Sequence, residues 1–97
     1  MTIEDGLSSF HIYIHWDGVP EYVLPLIDKA TKYAWEFPRF EAGDFAAAIV
    51  RVLKKCPWQI YLTNNPESIG DISYYYKVWQ SKWHLKVDVH DLTGNIK

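Results

Sequence analysis

The chain has 97 residues and a mass of 11.4 kDa, which fits one domain spanning residues 1–97 and is too short for two. Hydrophobic residues make up 48% of it and aromatic residues 16%, a composition that excludes an intrinsically disordered chain. Twelve acidic and ten basic residues give a formal charge of -2, so bulk electrostatic capture of nucleic acid or of an anionic membrane is not expected.

The first predicted element is a strand over residues 9–17, where apolar and polar side chains alternate. The preceding residues 1–7 are polar and acidic, and we expect them to be frayed. One face of this strand should be buried and the other exposed. Phe10, Ile12, Ile14 and Trp16 share the first parity, and His11, Tyr13, His15 and Asp17 share the second.

A helix is predicted after the Asp17-Gly18 turn signal, since Pro20 and Glu21 suit a helix start. Pro25 should be tolerated only in the first turn, so the helix is expected to begin at residues 22–24. It should end before Pro38. The apolar positions at helical spacing are Val23, Leu26, Ile27, Ala30, Tyr33, Ala34 and Phe37.

A second, Ala-rich helix is predicted with Asp44 as its N-cap and Pro57 as its stop signal. Basic residues suit its C-terminal end, where the helix dipole favours positive charge. Cys56 is the single cysteine, so it cannot form an internal disulfide, which favours a cytoplasmic protein. Its role is interpreted as structural. The apolar stripe consists of Phe45, Ala48, Ile49, Val52 and Leu53, and the basic residues are Arg51, Lys54 and Lys55.

Three further strands are predicted over residues 58–63, 71–79 and 82–90, the last two joined by a Gln80-Ser81 hairpin, with a frayed tail at residues 92–97. The expected fold is an α+β two-layer sandwich of order β-α-α-β-β-β. Two helices would pack on one face of a mainly antiparallel four-stranded sheet whose last three strands form a meander. The first strand either pairs with the edge of the meander or inserts inside it.

The sheet face opposite the helices is the predicted working surface. If Trp16, Ile60, Leu62, Trp83, Leu85, Val87 and Val89 point at the helices, the strand residues of the opposite parity lie on the open face. The strand over residues 71–79 is ambiguous, because Tyr74-Tyr75-Tyr76 places an aromatic side chain on both faces in either register. An open face rich in Tyr and His is typical of interfaces, although cross-strand aromatic pairs can also simply stabilise a sheet. The residues predicted to bind a partner are His11, Tyr13, His15, Asp17, Tyr61, Tyr75, Lys77, Trp79, His84 and Lys86.

All four histidines share this parity, and histidine is a common metal ligand. Two positions four apart on one strand lie about 13 Å from each other, so one ion would need cross-strand pairs such as His15 with His84 or His90, near Asp17 and Asp88. Exposed strand histidines without a role are commoner, and no metal or cofactor is predicted. No nucleotide-binding, hydrolase or zinc-protease signature occurs, so no enzymatic activity is predicted either.

The segment His15-Trp16-Asp17-Gly18-Val19-Pro20-Glu21 resembles an "HWDGYPE" signature of small, largely uncharacterised proteins encoded by phages and prophages. The resemblance continues through residues 22–25, 40–47, 60–63 and 70–74. Val19 stands where the family has Tyr, and residues 55–58 replace a stretch that is often Gly-rich. The resemblance implies a mobile-element setting and no particular activity.

The leading hypothesis is a phage-type accessory protein that binds and blocks a host protein complex in the host cytoplasm, such as an anti-CRISPR or another anti-defence inhibitor. Residues 1–50 carry eight acids and three bases, so this half could meet a basic site on the partner. We do not expect nucleic acid or a membrane as the partner. The alternatives are a small metal- or nucleotide-handling enzyme using His15, Asp17, His84 and His90, and a homodimeric module that uses the aromatic face as its subunit interface.

Overall fold

The computed structural model describes residues 1–14, 18–55, 60–64, 74–81 and 84–91. Within these ranges the chain forms two α-helices, a single 3-10 turn at Thr31–Tyr33 and five strands. The predicted α+β class is therefore confirmed. The strands and helices are β1 (Thr2–Glu4), β2 (Ser9–Ile14), α1 (Pro20–Ala30), α2 (Ala42–Leu53), β3 (Ile60–Thr63), β4 (Tyr74–Ser81) and β5 (His84–Asp91).

The strands form one mixed sheet in the order β3-β2-β1-β4-β5. The pair β1–β4 is parallel and the other three pairs are antiparallel. The prediction of four strands with a three-stranded meander is wrong, because β3 pairs with β2 and the additional strand β1 separates β2 from β4. The predicted antiparallel pairing of the last two strands is confirmed, but Gln80-Ser81 is not their turn, since Gln80 and Ser81 pair with Leu85 and His84 and belong to β4.

Strand β1 occupies the centre of the sheet, although the sequence predicts that residues 1–7 are frayed. Thr2 pairs with His11 on one side and with Lys77 on the other. Ile3 is completely buried, and the Met1 amino group donates a 2.8 Å hydrogen bond to Ile12 O. The segment is therefore ordered by two neighbouring strands rather than by its own short pattern.

Helix α1 begins earlier and ends earlier than predicted. Pro20 is within its first turn, where the missing N–H costs nothing, and the helix stops at Ala30 before the 3-10 turn. Pro25 lies in the second turn and lacks the N–H that would donate to Glu21 O. Both Pro25 and Glu21 are exposed, so water can supply that hydrogen bond.

Helix α2 begins at Ala42, with Glu41 rather than Asp44 at its N-cap. The Asp44 carboxylate instead accepts a 2.8 Å hydrogen bond from the backbone N–H of Trp35. The carboxylate that caps the helix comes from the β1–β2 turn, because Ala42 N–H donates to Asp5 Oδ2 at 2.8 Å. An anion at a helix N-terminus is stabilised by the helix dipole and by the free N–H groups.

Asp5 also organises its own turn, since its Oδ1 accepts hydrogen bonds from the N–H groups of Leu7 and Ser8. The hydrogen bond from Ala42, followed by those from Leu7 and Ser8, lowers the pKa of Asp5 below its ordinary value of 3.8. A depressed folded-state pKa stabilises the fold above the unfolded-state pKa, and this contribution is lost as the pH falls through the folded-state pKa.

We therefore expect Asp5→Asn to lower the melting temperature at neutral pH, because the amide cannot accept all three hydrogen bonds. The difference from the unmodified chain should shrink as the pH falls below 3.8. Thermal unfolding followed by circular dichroism at several pH values measures both effects. Asp28→Asn, at an exposed position of α1, is the matched control; an equal loss in both variants would contradict the capping role.

The core lies between the helices and one face of the sheet. The side chains of β4 that join it are Tyr76 and Val78, and Tyr76 OH donates to Gly18 O at the approach to α1. Leu62 and Val89 lie on the core side of the sheet, as predicted, but they belong to the outer strands and are 62% and 39% exposed. The fully buried large residues are Tyr76, Phe45, Ile3, Ile12, Ile27, Ile49, Leu53, Ile60, Val23 and Val78.

Candidate binding face of the sheet

The candidate site is the sheet face opposite the core, here called the open face. Burial of Tyr76 and Val78 resolves the ambiguity of β4, because their neighbours Tyr75, Lys77 and Trp79 must then lie on the open face. Registers with the adjacent strands extend this face across the sheet. Its described side chains are Thr2, Glu4, Ser9, His11, Tyr13, Tyr61, Thr63, Tyr75, Lys77, Trp79, Ser81, His84, Lys86, Asp88 and His90.

Two aromatic contacts lie on opposite sides of β1. On β2 and β3 the rings of Tyr13 and Tyr61 pack with their centroids 5.1 Å apart, and Tyr61 remains 49% exposed. On β4 and β5 the Tyr75 ring lies 5.8 Å from the His90 ring. The pairs Tyr13↔Tyr61 and Tyr75↔His90 are directly opposite each other in the strand register, so each fixes the orientation of two side chains.

A hydrogen-bonded chain crosses the middle of the open face. Tyr75 OH donates to Thr2 Oγ1, and Thr2 Oγ1 lies 2.9 Å from His11 Nδ1. Because Thr2 accepts from Tyr75, its own proton can be donated to His11 Nδ1, which matches the imidazole tautomer with hydrogen on Nε2. The chain joins β4, β1 and β2 and satisfies the buried Thr2 hydroxyl.

Thr2 is the member of this face that the sequence pattern did not reveal. Its segment was predicted to be frayed, because three strand residues are too few to show alternation. The side chain is only 5% exposed, so it organises Tyr75 and His11 and is not itself an accessible surface.

Charges on the open face are balanced. Lys77 Nζ lies 3.2 Å from Glu4 Oε1 and 5.8 Å from the centroid of the Trp79 ring. Lys86 and Asp88 extend from β5 and are exposed. The described face therefore presents two lysines and two carboxylates and has no positive groove of the kind that single-stranded nucleic acid requires.

The histidines do not converge. His84 and His90 are six residues apart on β5, or about 20 Å along the strand. A shared site with His15 required the first predicted strand and β5 to be neighbours, but β1 and β4 lie between β2 and β5. In the part of the chain that the structure describes, no three potential metal ligands come together. His15 and Asp17, two members of the enzyme hypothesis, lie outside the described residues.

Eight of the ten predicted partner-binding residues are therefore found on one face. The two others, His15 and Asp17, lie outside the described residues, as do Trp16, Trp83, Cys56 and the tail 92–97. The eight are His11, Tyr13, Tyr61, Tyr75, Lys77, Trp79, His84 and Lys86.

Comparison with known proteins finds no matching family model, no matching curated protein and no matching solved structure. Neither described helix is both long and apolar enough to cross a bilayer.

Proposed function

We propose that the protein acts by binding another protein through the open face, without chemistry of its own. The observation that supports this most directly is the aromatic surface formed by Tyr13, Tyr61, Tyr75 and Trp79 on the side of the sheet away from the core. Tyr and Trp are the residue types that contribute most binding energy at protein interfaces. Their polar atoms let the same surface remain hydrated before a partner binds.

Preorganisation favours a binding role for this face. The Tyr13–Tyr61 contact and the Tyr75–Thr2–His11 chain already hold the side chains in place. An interface that is ordered in the free protein loses less side-chain entropy on binding, which improves affinity without any added contact.

The size of the face is also suitable. Five strands at ~4.8 Å spacing span about 20 Å, and eight residues of β4 or β5 extend for about 26 Å. The product, ~500 Å² of projected area, is of the same order as the ~800 Å² that each partner contributes to a standard protein interface. A partner that covers this face and its rim would bury a normal interface.

The narrower proposal is that the bound protein is part of a host complex and that binding blocks it, as in a phage-encoded anti-defence inhibitor acting in the host cytoplasm. The motif resemblance at residues 15–21 is the support for this setting. Imitation of nucleic acid by the acidic residues 1–50 has weaker support, because several carboxylates in this half already form ion pairs or accept hydrogen bonds within the fold. Those carboxylates belong to Glu4, Asp5, Glu41 and Asp44.

Tyr61→Ala tests the binding face directly. We expect it to weaken capture of the partner from a host lysate by roughly tenfold or more, as for an interface hot spot. Quantitative capture on the immobilised protein, repeated with the purified partner, gives the dissociation constant.

Tyr33→Ala is the matched control, since Tyr33 lies in the 3-10 turn that follows α1 and is 44% exposed against 49% for Tyr61. Loss of binding with Tyr33→Ala and none with Tyr61→Ala would move the interface to the helical layer. Equal binding by both variants and the unmodified protein would contradict the proposal.

A further inference from the structure

Strand β5 forms a long unpaired edge of the sheet. It contains eight residues, pairs with β4 on its inner side, and has no other strand neighbour among the described residues. A free edge presents a row of N–H and C=O groups that can pair with another strand. The described strand has no proline, no glycine and no bulge, so its backbone is continuous, and its charged residues Lys86 and Asp88 are those that any pairing must accommodate.

The side chains of β5 alternate in a self-complementary way. Lys86 and Asp88 lie on the open face, and Leu85, Val87 and Val89 lie on the core side. Val89 is 39% exposed, although its parity is that of the core. No ion pair joins Lys86 or Asp88 to another side chain in the ranges that the structure covers. The edge of β5 thus presents charged side chains that form no ion pair among the described residues, together with exposed apolar surface.

We propose that β5 pairs antiparallel with β5 of a second copy of this chain, about a twofold axis beside Val87. In this register Lys86 of each copy lies opposite Asp88 of the other copy. Leu85 of each copy lies opposite Val89 of the other copy. Val87 faces its own equivalent. Opposite charges and apolar side chains in directly facing positions both stabilise antiparallel pairs.

Neighbouring registers are disfavoured by the same side chains. Moving the axis to residue 86 places Lys86 opposite Lys86 of the second copy, and moving it to residue 88 places Asp88 opposite Asp88. Like charges in facing positions are destabilising. A slip by one residue pairs the polar face of one copy with the apolar face of the other. The register centred on Val87 is therefore selected by charge and by polarity together.

The dimer would be a continuous ten-stranded sheet with all helices on one side, because the twofold axis runs perpendicular to the sheet. The two open faces would then be adjacent and coplanar. Pairing at this strand edge does not depend on what the open face binds. Its failure and the failure of the proposed function are separable, since Tyr61 lies on β3, at the opposite edge of the sheet.

Charge reversal tests the register. Sedimentation velocity over a micromolar to millimolar concentration series should show a monomer–dimer equilibrium for the unmodified chain. Lys86→Glu alone, or Asp88→Lys alone, should raise the dimer dissociation constant by roughly tenfold or more, because two facing pairs become repulsive. The double variant K86E/D88K restores the pairing and should return to within about threefold of the unmodified chain.

Lys32→Glu, at an exposed position of the 3-10 turn, is the control for the change in net charge and should leave the dimer unchanged. Tyr61→Ala should also leave it unchanged. A monomer at every concentration, a dimer unaffected by either single reversal, or a double variant no better than the single ones would each overturn the proposal. A dimer weakened by Tyr61→Ala would instead place the interface on the open face.

Discussion

Ile3→Ala is expected to lower the free energy of unfolding by about 3 kcal/mol, within the range measured for truncating fully buried aliphatic side chains. Ile3 has no solvent exposure and lies on the central strand, in contact with the core beneath both helices. A domain of this size is stabilised by only about 5–15 kcal/mol in total, so the loss should shift the urea midpoint strongly. Equilibrium urea unfolding followed by tryptophan fluorescence measures it.

Leu7→Ala supplies the comparison, because it makes an aliphatic-to-alanine change four residues away at a side chain that is 96% exposed. Its effect should stay within about 0.5 kcal/mol. If the two variants were equally stable, β1 would not be the central strand in solution.

The stability of the chain that begins at Met1 is expected to rise between pH 6 and pH 8. Burial lowers the pKa of the Met1 amino group from its ordinary value of 8.0 to about 6, since the charged form is poorly solvated beside Ile12 O. Between these two values the unfolded chain binds more protons than the folded chain, so a rise in pH favours folding. A pKa difference of about 2 corresponds to roughly 2 to 3 kcal/mol in the free energy of unfolding. This gain in stability is complete above pH 8 and absent below pH 6.

An N-terminally acetylated form is the appropriate reference for this pH dependence. Its amide N–H can still donate to Ile12 O, but it carries no titrating amine. Every side chain is the same in both forms, so the difference between the two pH profiles isolates the Met1 amino group. Parallel profiles from pH 6 to pH 8 would show that the amino group is hydrated in the folded chain.

The sequence pattern predicted the elements whose signal is long enough to repeat. Alternation in residues 9–14 and in residues 85–89 identified strands and sorted their faces correctly. The facing of residues 74–79 stayed ambiguous, because three consecutive tyrosines put an aromatic side chain on both faces in either register. The periodic apolar residues of α1 and α2 identified both helices. The open face could therefore be predicted from parity, because each strand buries one side only.

The predictions that are wrong concern residues whose contacts in the fold are made with residues far away in the sequence. Residues 2–4 give no repeat, and Ile3 becomes buried only because β2 and β4 lie on either side. The cap of α2 is Asp5, which is 37 residues away from Ala42, whereas local rules selected Asp44. Strand order failed for the same reason, since sequential strands do not always pair. Tertiary contacts override local signals at these positions.

The parallel pairing of β1 with β4 also imposes an order on folding during synthesis. The ribosome makes β1 about seventy residues before β4, so the hairpin of β1 and β2 must wait with one side open until most of the chain has emerged. Closing such a long loop is slow, and β1 becomes fully paired only after β4 has been made. While the residues between β1 and β4 are being made, the nascent chain therefore exposes an unpaired edge of β1.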